Sequence, residues 1–179
     1  YLLQNEYDSG LIIYMNNEIS ILTPVFGRSK FFPLWVMNLK HQDYPHELLT
    51  VIVDECTDKD TPTFCKDVGY LEKLIHPMKL IYHSCGRRRT IGEKRNHLVK
   101  MCKTKTFCFM DSDDMYMPTY VSHSYKMLKQ NKVGLVGSDK RLCSIYFFLS
   151  SRHLFCPISF VLKSKYKSEL AITLIPYVS

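Results

Sequence analysis

The sequence predicts one α/β domain in which helices cover a largely parallel β-sheet. Short apolar runs alternate with longer helix-like segments between about residues 19 and 136, a pattern that is typical of repeated β-α-β units. The run 107–110 has four consecutive apolar residues, which favours a strand buried on both faces. With 179 residues, 46% of them hydrophobic and 23% charged, the chain has the size and composition of a single globular domain.

Each element is predicted from apolar periodicity and from the residues that begin or end it. Pro24 is expected to end the first strand, and Ser29 is expected to cap the helix that follows. The predicted strands are 19–23, 48–53, 78–82, 107–110 and 133–136, and the predicted helices are 31–42, 63–76, 91–102 and 118–130.

The pattern weakens at both ends of the chain. Residues 1–17 are interpreted as a leader or edge segment. Beyond residue 138, strands are expected at 145–149 and 158–162, in a second section that an antiparallel arrangement would suit, and a helix is expected at 164–170.

The positive charge of the chain is concentrated in one segment. Residues 83–105 contain eight Lys and Arg residues and a single acid, Glu93, a surplus equal to the net charge of +7 for the whole chain. Such a concentration predicts an anionic ligand, and phosphate is the leading candidate. Two other interpretations of the three arginines at 87–89 stay open, namely a solvated loop and a nucleic-acid surface.

The cysteines and histidines lack metal-binding spacings. The seven cysteines include no C-x-x-C pair, which argues against a zinc site or a disulfide framework and favours a reducing, cytoplasmic compartment. The seven histidines show no H-x-x-x-H spacing, so each is interpreted as a surface or core residue. No apolar run approaches the roughly 20 residues that span a bilayer, and no secretion signal is evident. We therefore expect no transmembrane segment.

Polar residues follow three of the predicted strands. Thr23 and Pro24 come after the first strand, Asp54 after the second, and the acidic segment 111–114 after the fourth. The carboxyl ends of parallel strands share one edge of the sheet, where α/β proteins bind ligands. At that edge Asp54 could accept hydrogen bonds from the ring N–H of a base or from a ribose hydroxyl. The alternative is that Asp54 caps the following turn.

The acidic segment itself predicts a metal site. Asp111 and Asp113 can turn toward a common point where the strand ends, and their oxygens suit Mg²⁺ or Mn²⁺. The alternative is a solvated acidic turn in which Asp114 caps the next helix.

A helix is predicted to begin at the basic segment. Free N–H groups and the helix dipole favour anions at such a helix start. Lys94 or Arg95 could add charge-assisted contacts to a diphosphate.

Four motifs, taken together, resemble one protein family. They are I-S-I-L-T-P-V-F-G-R at 19–28, V-I-V-D-E at 51–55, G-E-K-R-N at 92–96 and F-M-D-S-D-D at 109–114. Their order and spacing are similar to those of the nucleotide-sugar domain of family 2 glycosyltransferases. The resemblance implies the GT-A fold, a Rossmann-like, mostly parallel sheet flanked by helices. It also implies inverting transfer of a sugar from a UDP-type donor to an acceptor hydroxyl, with Mn²⁺ or Mg²⁺ as cofactor.

The resemblance also implies roles for individual residues. Asp54 would contact the uracil, and Asp113, together with Asp111, would hold the metal ion. The implied nucleotide-binding residues are Thr23, Pro24, Asp54, Arg95 and Asp111.

The chain departs from the family pattern at two places. The second strand continues as Asp54-Glu55-Cys56-Thr57, which lacks the glycine of the common D-D-G-S sequence. Inverting transfer needs a carboxylate base, yet beyond Asp139 the only carboxylate side chain is Glu169. Either Glu169 is this base, or the chain is truncated or diverged at its C-terminus, and the second interpretation is favoured.

The resulting interpretation divides the chain into a leader or edge segment (1–17), a nucleotide-sugar-binding domain (18–138) and a partial acceptor-side section (139–179). The expected partners are a UDP-sugar donor and an unidentified glycan, protein or lipid acceptor. The alternatives are a degenerate domain that binds nucleotide sugar without catalysis, a nucleotidyltransferase, and a nucleic-acid-binding protein that uses segment 83–105. Nucleic acid is disfavoured as a partner.

Overall fold

The computed structural model describes residues 17–137 and the backbone of 160–163. These residues form one sheet whose strands are β1 (Ile19–Val25), β2 (Leu49–Cys56), β3 (Lys79–Cys85), β4 (Thr106–Phe109), β5 (Leu135–Gly137) and β6 (Phe160–Lys163). The strand order is β3-β2-β1-β4-β6-β5. Strands β1 to β4 are parallel to one another, whereas β6 runs antiparallel to β4 and β5. The predicted α/β class with a mostly parallel sheet is confirmed.

Helices cover both faces of this sheet. In the described part of the chain they are α1 (Phe32–Lys40), α2 (Val68–Ile75), α3 (Ile91–Met101) and α4 (Tyr120–Gln130). Successive side chains of a strand point to opposite faces. Ile21 therefore packs with α1, α2 and α4 on one face, while Leu22 packs with Leu98 of α3 on the other. All seven residues of β1 are buried, as expected for the centre of a parallel sheet.

β1 continues through Pro24, so the prediction that this proline ends the strand is wrong. Pairing of β1 with β4 stops at Leu22, opposite Phe109, whereas pairing with β2 continues to Val25. Proline has no backbone N–H to donate. It is tolerated here because β1 has only one pairing partner at this point.

The start of α1 also differs from the prediction. A 3-10 turn, Ser29–Phe31, precedes the helix, and Pro33 lies in the first helical turn as expected. The N-cap residue is Phe31, and no side-chain hydrogen bond caps this end. The prediction that Ser29 caps the helix is therefore wrong.

β2 and β3 extend beyond the apolar runs that predicted them. β2 reaches Cys56, so Asp54 lies inside the strand rather than after it, and β3 reaches Cys85. The register of these two strands places Asp54 opposite His83. A strand can continue through buried carboxylates when neighbouring groups bind them, and this extension shapes the candidate site.

The strand expected at 158–162 is present as β6, and it lies within the same sheet between β4 and β5. The strand expected at 145–149, the helix expected at 164–170, and Glu169 all lie outside the described residues. None of the described helices combines the length and apolar composition needed to cross a membrane.

Candidate functional site

The carboxyl ends of the central strands bring several predicted site residues to one edge of the sheet. Asp54 is fully buried, and its register partner in β1 is Pro24. Met110, which follows β4, donates its backbone N–H to the carbonyl of Leu22 at 3.0 Å. The loop that begins at Asp111 therefore starts beside β1. Pro24 and Asp54, which lie within the last residues of β1 and β2, and Asp111, which follows β4, are thus close to the same edge of the sheet.

Thr23 is a buried link between three elements. Its hydroxyl donates to the carbonyl oxygen of Met110 at 2.9 Å and accepts from the indole N–H of Trp35 at 3.1 Å. These bonds join β1, the loop after β4 and α1. A hydroxyl has two acceptor positions, so one acceptor position remains for a further contact. Thr23 therefore supports the edge of the sheet whether or not a ligand is bound.

The acidic loop after β4 is fixed by two buried amide side chains, one on α1 and one just after it. Asn38 donates to the carbonyl of Asp114 at 2.8 Å and accepts from the N–H of Tyr116 at 3.1 Å. Gln42 donates to the carbonyl of Met117 at 3.1 Å and accepts from the first turn of α4. Buried polar groups that are fully bonded hold a local structure rigidly. The backbone of the loop is therefore positioned by the core.

Each of the two aspartates predicted to bind metal is paired with an arginine. The Oδ2 atom of Asp111 lies 3.3 Å from Nη2 of Arg95, and Oδ2 of Asp113 lies 3.1 Å from Nη2 of Arg28. The other oxygen of Asp111, Oδ1, is buried and makes no hydrogen bond within the described residues. Burial raises the pKa of Asp111, and the nearby Arg95 partly opposes that shift.

These oxygens fit a hard divalent cation. Mg²⁺ and Mn²⁺ prefer carboxylate and other oxygen ligands. The free Oδ1 atom of Asp111 and the partly exposed carboxylate of Asp113 offer such ligands. A cation beside Asp111 would also favour its charged form, which burial disfavours. Arg28 and Arg95 would then remain close enough to contact anionic groups bound to the same cation.

Arg95 is placed by the way α3 begins. Thr90 and Glu93 form a capping box, in which the Thr90 hydroxyl accepts from the Glu93 N–H at 3.3 Å and the Glu93 carboxylate accepts from the Thr90 N–H at 2.7 Å. One turn later, the guanidinium of Arg95 packs over the ring of Phe109, 5.3 Å from its centroid. The helix start and β4 together aim Arg95 at Asp111.

Lys94 is directed elsewhere. Its ammonium group is buried and donates to the carbonyl of Val25 at 2.8 Å. Burial lowers the pKa of Lys94. Of the two basic residues that could contact a diphosphate, Lys94 therefore supports β1, and Arg95 is the one beside the acidic loop.

Two histidines and an arginine surround Asp54. Nδ1 of His83 lies 2.7 Å from Oδ1, and Nδ1 of His97 lies 3.1 Å from Oδ2. Nη1 of Arg89 lies 3.5 Å from Oδ2. Neither histidine was predicted as a site residue, because the spacing of the histidines in the sequence matches no metal-binding motif. Only the β2–β3 register, which sets His83 opposite Asp54, could have indicated the first of them.

The departure from the D-D-G-S sequence has a structural role. Glu55 is buried, and its two oxygens accept from the N–H of Phe64 at 2.5 Å and from the hydroxyl of Tyr82 at 2.6 Å. Cys56 stands in place of the expected glycine, and its sulfur lies 2.7 Å from that of Cys85. Burial raises the pKa of the Cys56 thiol to about 12. These residues hold β2, β3 and the following loop together.

The three consecutive arginines do not form a uniform surface. Arg87 and Arg88 are both exposed, and Arg88 stacks over the ring of Phe26, 4.7 Å from its centroid. Arg89 reaches the buried Asp54. Of the three, only Arg89 is partly buried and contacts Asp54, whereas Arg87 and Arg88 stay exposed to solvent.

Comparisons with known proteins point to one family. A curated relative, the O-antigen biosynthesis glycosyltransferase WbnJ of Escherichia coli, is 24% identical over 124 residues, which cover 69% of this chain and 46% of the relative. The chain therefore spans about half the length of that protein.

Solved structures show the same fold. The mannosyltransferase PcManGT from Pyrobaculum calidifontis, in complex with GDP-Man and Mn²⁺, matches with a TM-score of 0.66 at 16% identity, covering 95% of this chain and 56% of that one. Residues 1–349 of TarS from S. aureus match with a TM-score of 0.62 at 16% identity, covering 85% of this chain and 48% of that one. A structure of the same TarS fragment contains UDP.

The family match covers most of the chain. The sequence model described as Glycosyl transferase family 2 matches residues 20–174, a range that contains three of the four motifs in full and all but the first residue of the motif at 19–28. Together with the GT-A-type sheet, this match shows that the chain belongs to glycosyl transferase family 2.

Proposed function

We propose that residues 18–138 bind a UDP-type sugar donor together with Mn²⁺ or Mg²⁺, as the donor side of an inverting glycosyltransferase. The observation that carries this proposal is the placement of Asp54, Arg95 and the 111–114 loop at one sheet edge. The complexes of related proteins with GDP-Man and Mn²⁺ and with UDP-GlcNAc support it. Residues 139–179 would form part of the acceptor side, and residues 1–17 a leader or edge segment.

Asp54 would recognise the base. An ionised carboxylate only accepts hydrogen bonds, and uracil offers a ring N–H donor. Asp54 is fully buried, so a hydrogen bond to it would form away from water, where such a bond is stronger. Pro24 lies opposite Asp54 in the adjacent strand and would form the neighbouring wall, with Thr23 supporting it from behind.

Asp113 and Asp111 would hold the cation, with Asp111 nearer the ribose. When bound, the metal ion would act as a Lewis acid that offsets negative charge on the departing diphosphate. Arg95 and Arg28, which now pair with these aspartates, would contribute further positive charge to the diphosphate. Fixed charges of this kind stabilise a leaving group without reorganisation during the reaction.

The acceptor side would complete the reaction. A carboxylate base must take the proton from the acceptor hydroxyl as that oxygen attacks the sugar from the face opposite the diphosphate. Glu169 is the candidate for this base because it is the only carboxylate side chain beyond Asp139. Without such a base, the chain would bind the donor without transferring its sugar, which is the second candidate function.

The base-recognition role is tested by Asp54→Asn, an isosteric change that removes the charge. We expect UDP to bind the variant at least about tenfold more weakly, since a hydrogen bond to a charged group contributes about 1.5–3 kcal/mol. Equilibrium titration of UDP in the presence of Mn²⁺ measures this. Asp43→Asn is the matched control, because Asp43 is exposed and precedes β2, away from the site. Equal affinities of wild type and Asp54→Asn would contradict the assignment.

Catalysis is tested by UDP release from a panel of UDP-sugars in the presence of Mn²⁺ and glycan, peptide or lipid acceptors. If Glu169 is the base, the wild type releases UDP with a suitable acceptor, and Glu169→Gln slows this release by at least about a hundredfold while donor affinity is retained. Release that is unaffected by Glu169→Gln would contradict the assignment of the base. Donor binding with no release would instead favour the binding-only function.

A further inference from the structure

The surroundings of Asp54 contain a set of metal-binding atoms that is separate from the acidic loop. One oxygen of Asp54 and one ring nitrogen each of His83 and His97 all lie within 4.8 Å of one another. The two imidazole rings are 4.6 Å apart between centroids. Three different elements contribute these residues, namely β2, β3 and α3. The strand register and the packing of α3 therefore build the cluster.

Two atoms of this cluster are buried without a hydrogen bond. Within the described residues, Oδ2 of Asp54 and Nδ1 of His97 make none, although they are only 3.1 Å apart. Buried polar atoms are normally bonded, because leaving one unpaired costs about 1–3 kcal/mol. A cation held between these two atoms would satisfy both of them.

The chemistry of the cluster suits a zinc-type ion rather than Mg²⁺ or Mn²⁺. Two imidazoles and one carboxylate are a common ligand set for Zn²⁺. Bond lengths to zinc place tetrahedral ligand atoms roughly 3.3–3.5 Å apart. The distances from the Asp54 oxygens to the two imidazole nitrogens, 2.7 and 3.1 Å, reach that range through sub-ångström movements. The histidine side chains are about one third exposed, at 34% and 30%, which leaves the ion a route in.

We infer that Asp54, His83 and His97 form a second metal site that takes a zinc-type divalent ion and opposes nucleotide binding. The ion would occupy the Asp54 oxygens that the proposed function assigns to uracil. The metal site itself does not depend on the proposed function, whereas the antagonism between metal and nucleotide rests on it. The guanidinium of Arg89, 3.5 Å from Oδ2 of Asp54, repels a cation at this position. Arg89 therefore weakens metal binding and competes for the same oxygen.

The site is tested by titrating Zn²⁺ into the reduced, metal-free 179-residue chain. We expect one equivalent to bind tightly. His83→Ala and His97→Ala should each weaken this binding by at least about tenfold, because even residues that only support a metal ligand have effects of that size. Arg89→Gln should strengthen it. Co²⁺ absorption in the visible range provides a spectroscopic readout of an ordered nitrogen and oxygen site.

Three control variants separate this site from other ligands. His123→Ala removes an exposed histidine on α4 and should leave Zn²⁺ affinity unchanged, as should Asp113→Ala in the acidic loop. Cys56→Ala combined with Cys85→Ala removes the adjacent thiol pair. Zn²⁺ binding that disappears with these thiols but survives both cluster-histidine variants would overturn the inference, as would the absence of tight binding in the wild type.

A competition experiment tests the effect on the nucleotide. Zn²⁺ should weaken UDP binding to the wild type in the presence of Mn²⁺ and should have no such effect on His97→Ala. Tight Zn²⁺ binding that leaves UDP affinity unchanged would overturn the antagonism. If the wild type binds Zn²⁺ but never UDP, the proposed donor function fails while the metal site stands, so the two failures can be told apart.

Discussion

At the scale of single residues, the site is built from charged groups whose partners are fixed by the core. Asp111 pairs with Arg95, Asp113 with Arg28, and Asp54 with His83. These three acids could be picked out as site candidates from the sequence, because each one closely follows an apolar run. Their partners were not, because every one of these pairs joins residues far apart in the chain.

A buried thiol gives the fold a measurable alkaline sensitivity. Burial raises the pKa of Cys108 from 9.0 to about 12. The folded chain therefore keeps this proton after the unfolded chain has lost it, so stability is complete below pH 9 and falls as the pH rises toward 12. The expected slope from this thiol is about 1.4 kcal/mol per pH unit.

Urea unfolding at a series of pH values from 8 to about 10.5 measures this slope. Cys108→Ala should unfold more easily at neutral pH because it leaves a small cavity, but its stability should fall less steeply above pH 9. A variant with the same alkaline slope as the wild type would show that Cys108 does not retain its proton in the folded chain.

At the scale of secondary-structure elements, the start of α3 positions the residues that face the site. The capping box of Thr90 and Glu93 begins the helix that carries Arg95 and His97. We expect Thr90→Ala to reduce the free energy of unfolding by about 0.5–2 kcal/mol, because an unbonded N–H replaces the cap. Thr90→Ser retains the hydroxyl and should stay near wild type in urea unfolding. Equal losses for both variants would mean that the hydroxyl does not cap α3.

The ends of elements were harder to predict than their centres, for identifiable reasons. β1 passes through Pro24 because its pairing on one side has already stopped. β2 continues through Asp54 and Glu55 because side chains and a backbone N–H from elsewhere bind these buried carboxylates. Apolar periodicity detects only the part of a strand that is stabilised by burial of hydrocarbon, so polar strand ends escape it.

At the scale of the whole molecule, part of the concentrated positive charge contacts the edge of the sheet, and the rest is exposed to solvent. Segment 83–105 spans the end of β3 and all of α3, and its members contact Asp54, Asp111 and the Val25 carbonyl. The charge of this segment could be predicted from the sequence. The packing of α3 decides which of its basic residues are buried in the core, which contact the site and which are exposed. The α/β class and the parallel sheet were predictable because they follow from alternation of strands and helices along the chain.

The most direct test of the proposed donor site is a calorimetric titration of UDP into the 179-residue chain, with and without Mn²⁺. We predict that UDP binds in the presence of Mn²⁺, that binding weakens at least about tenfold without it, and that Asp113→Ala has a similar effect, because a metal held by this carboxylate would offset the charge of the diphosphate. Asp43→Ala, at the opposite edge of the sheet, should bind as the wild type does. The absence of UDP binding under both conditions, or binding unaffected by Asp113→Ala, would contradict the donor site proposed for this chain.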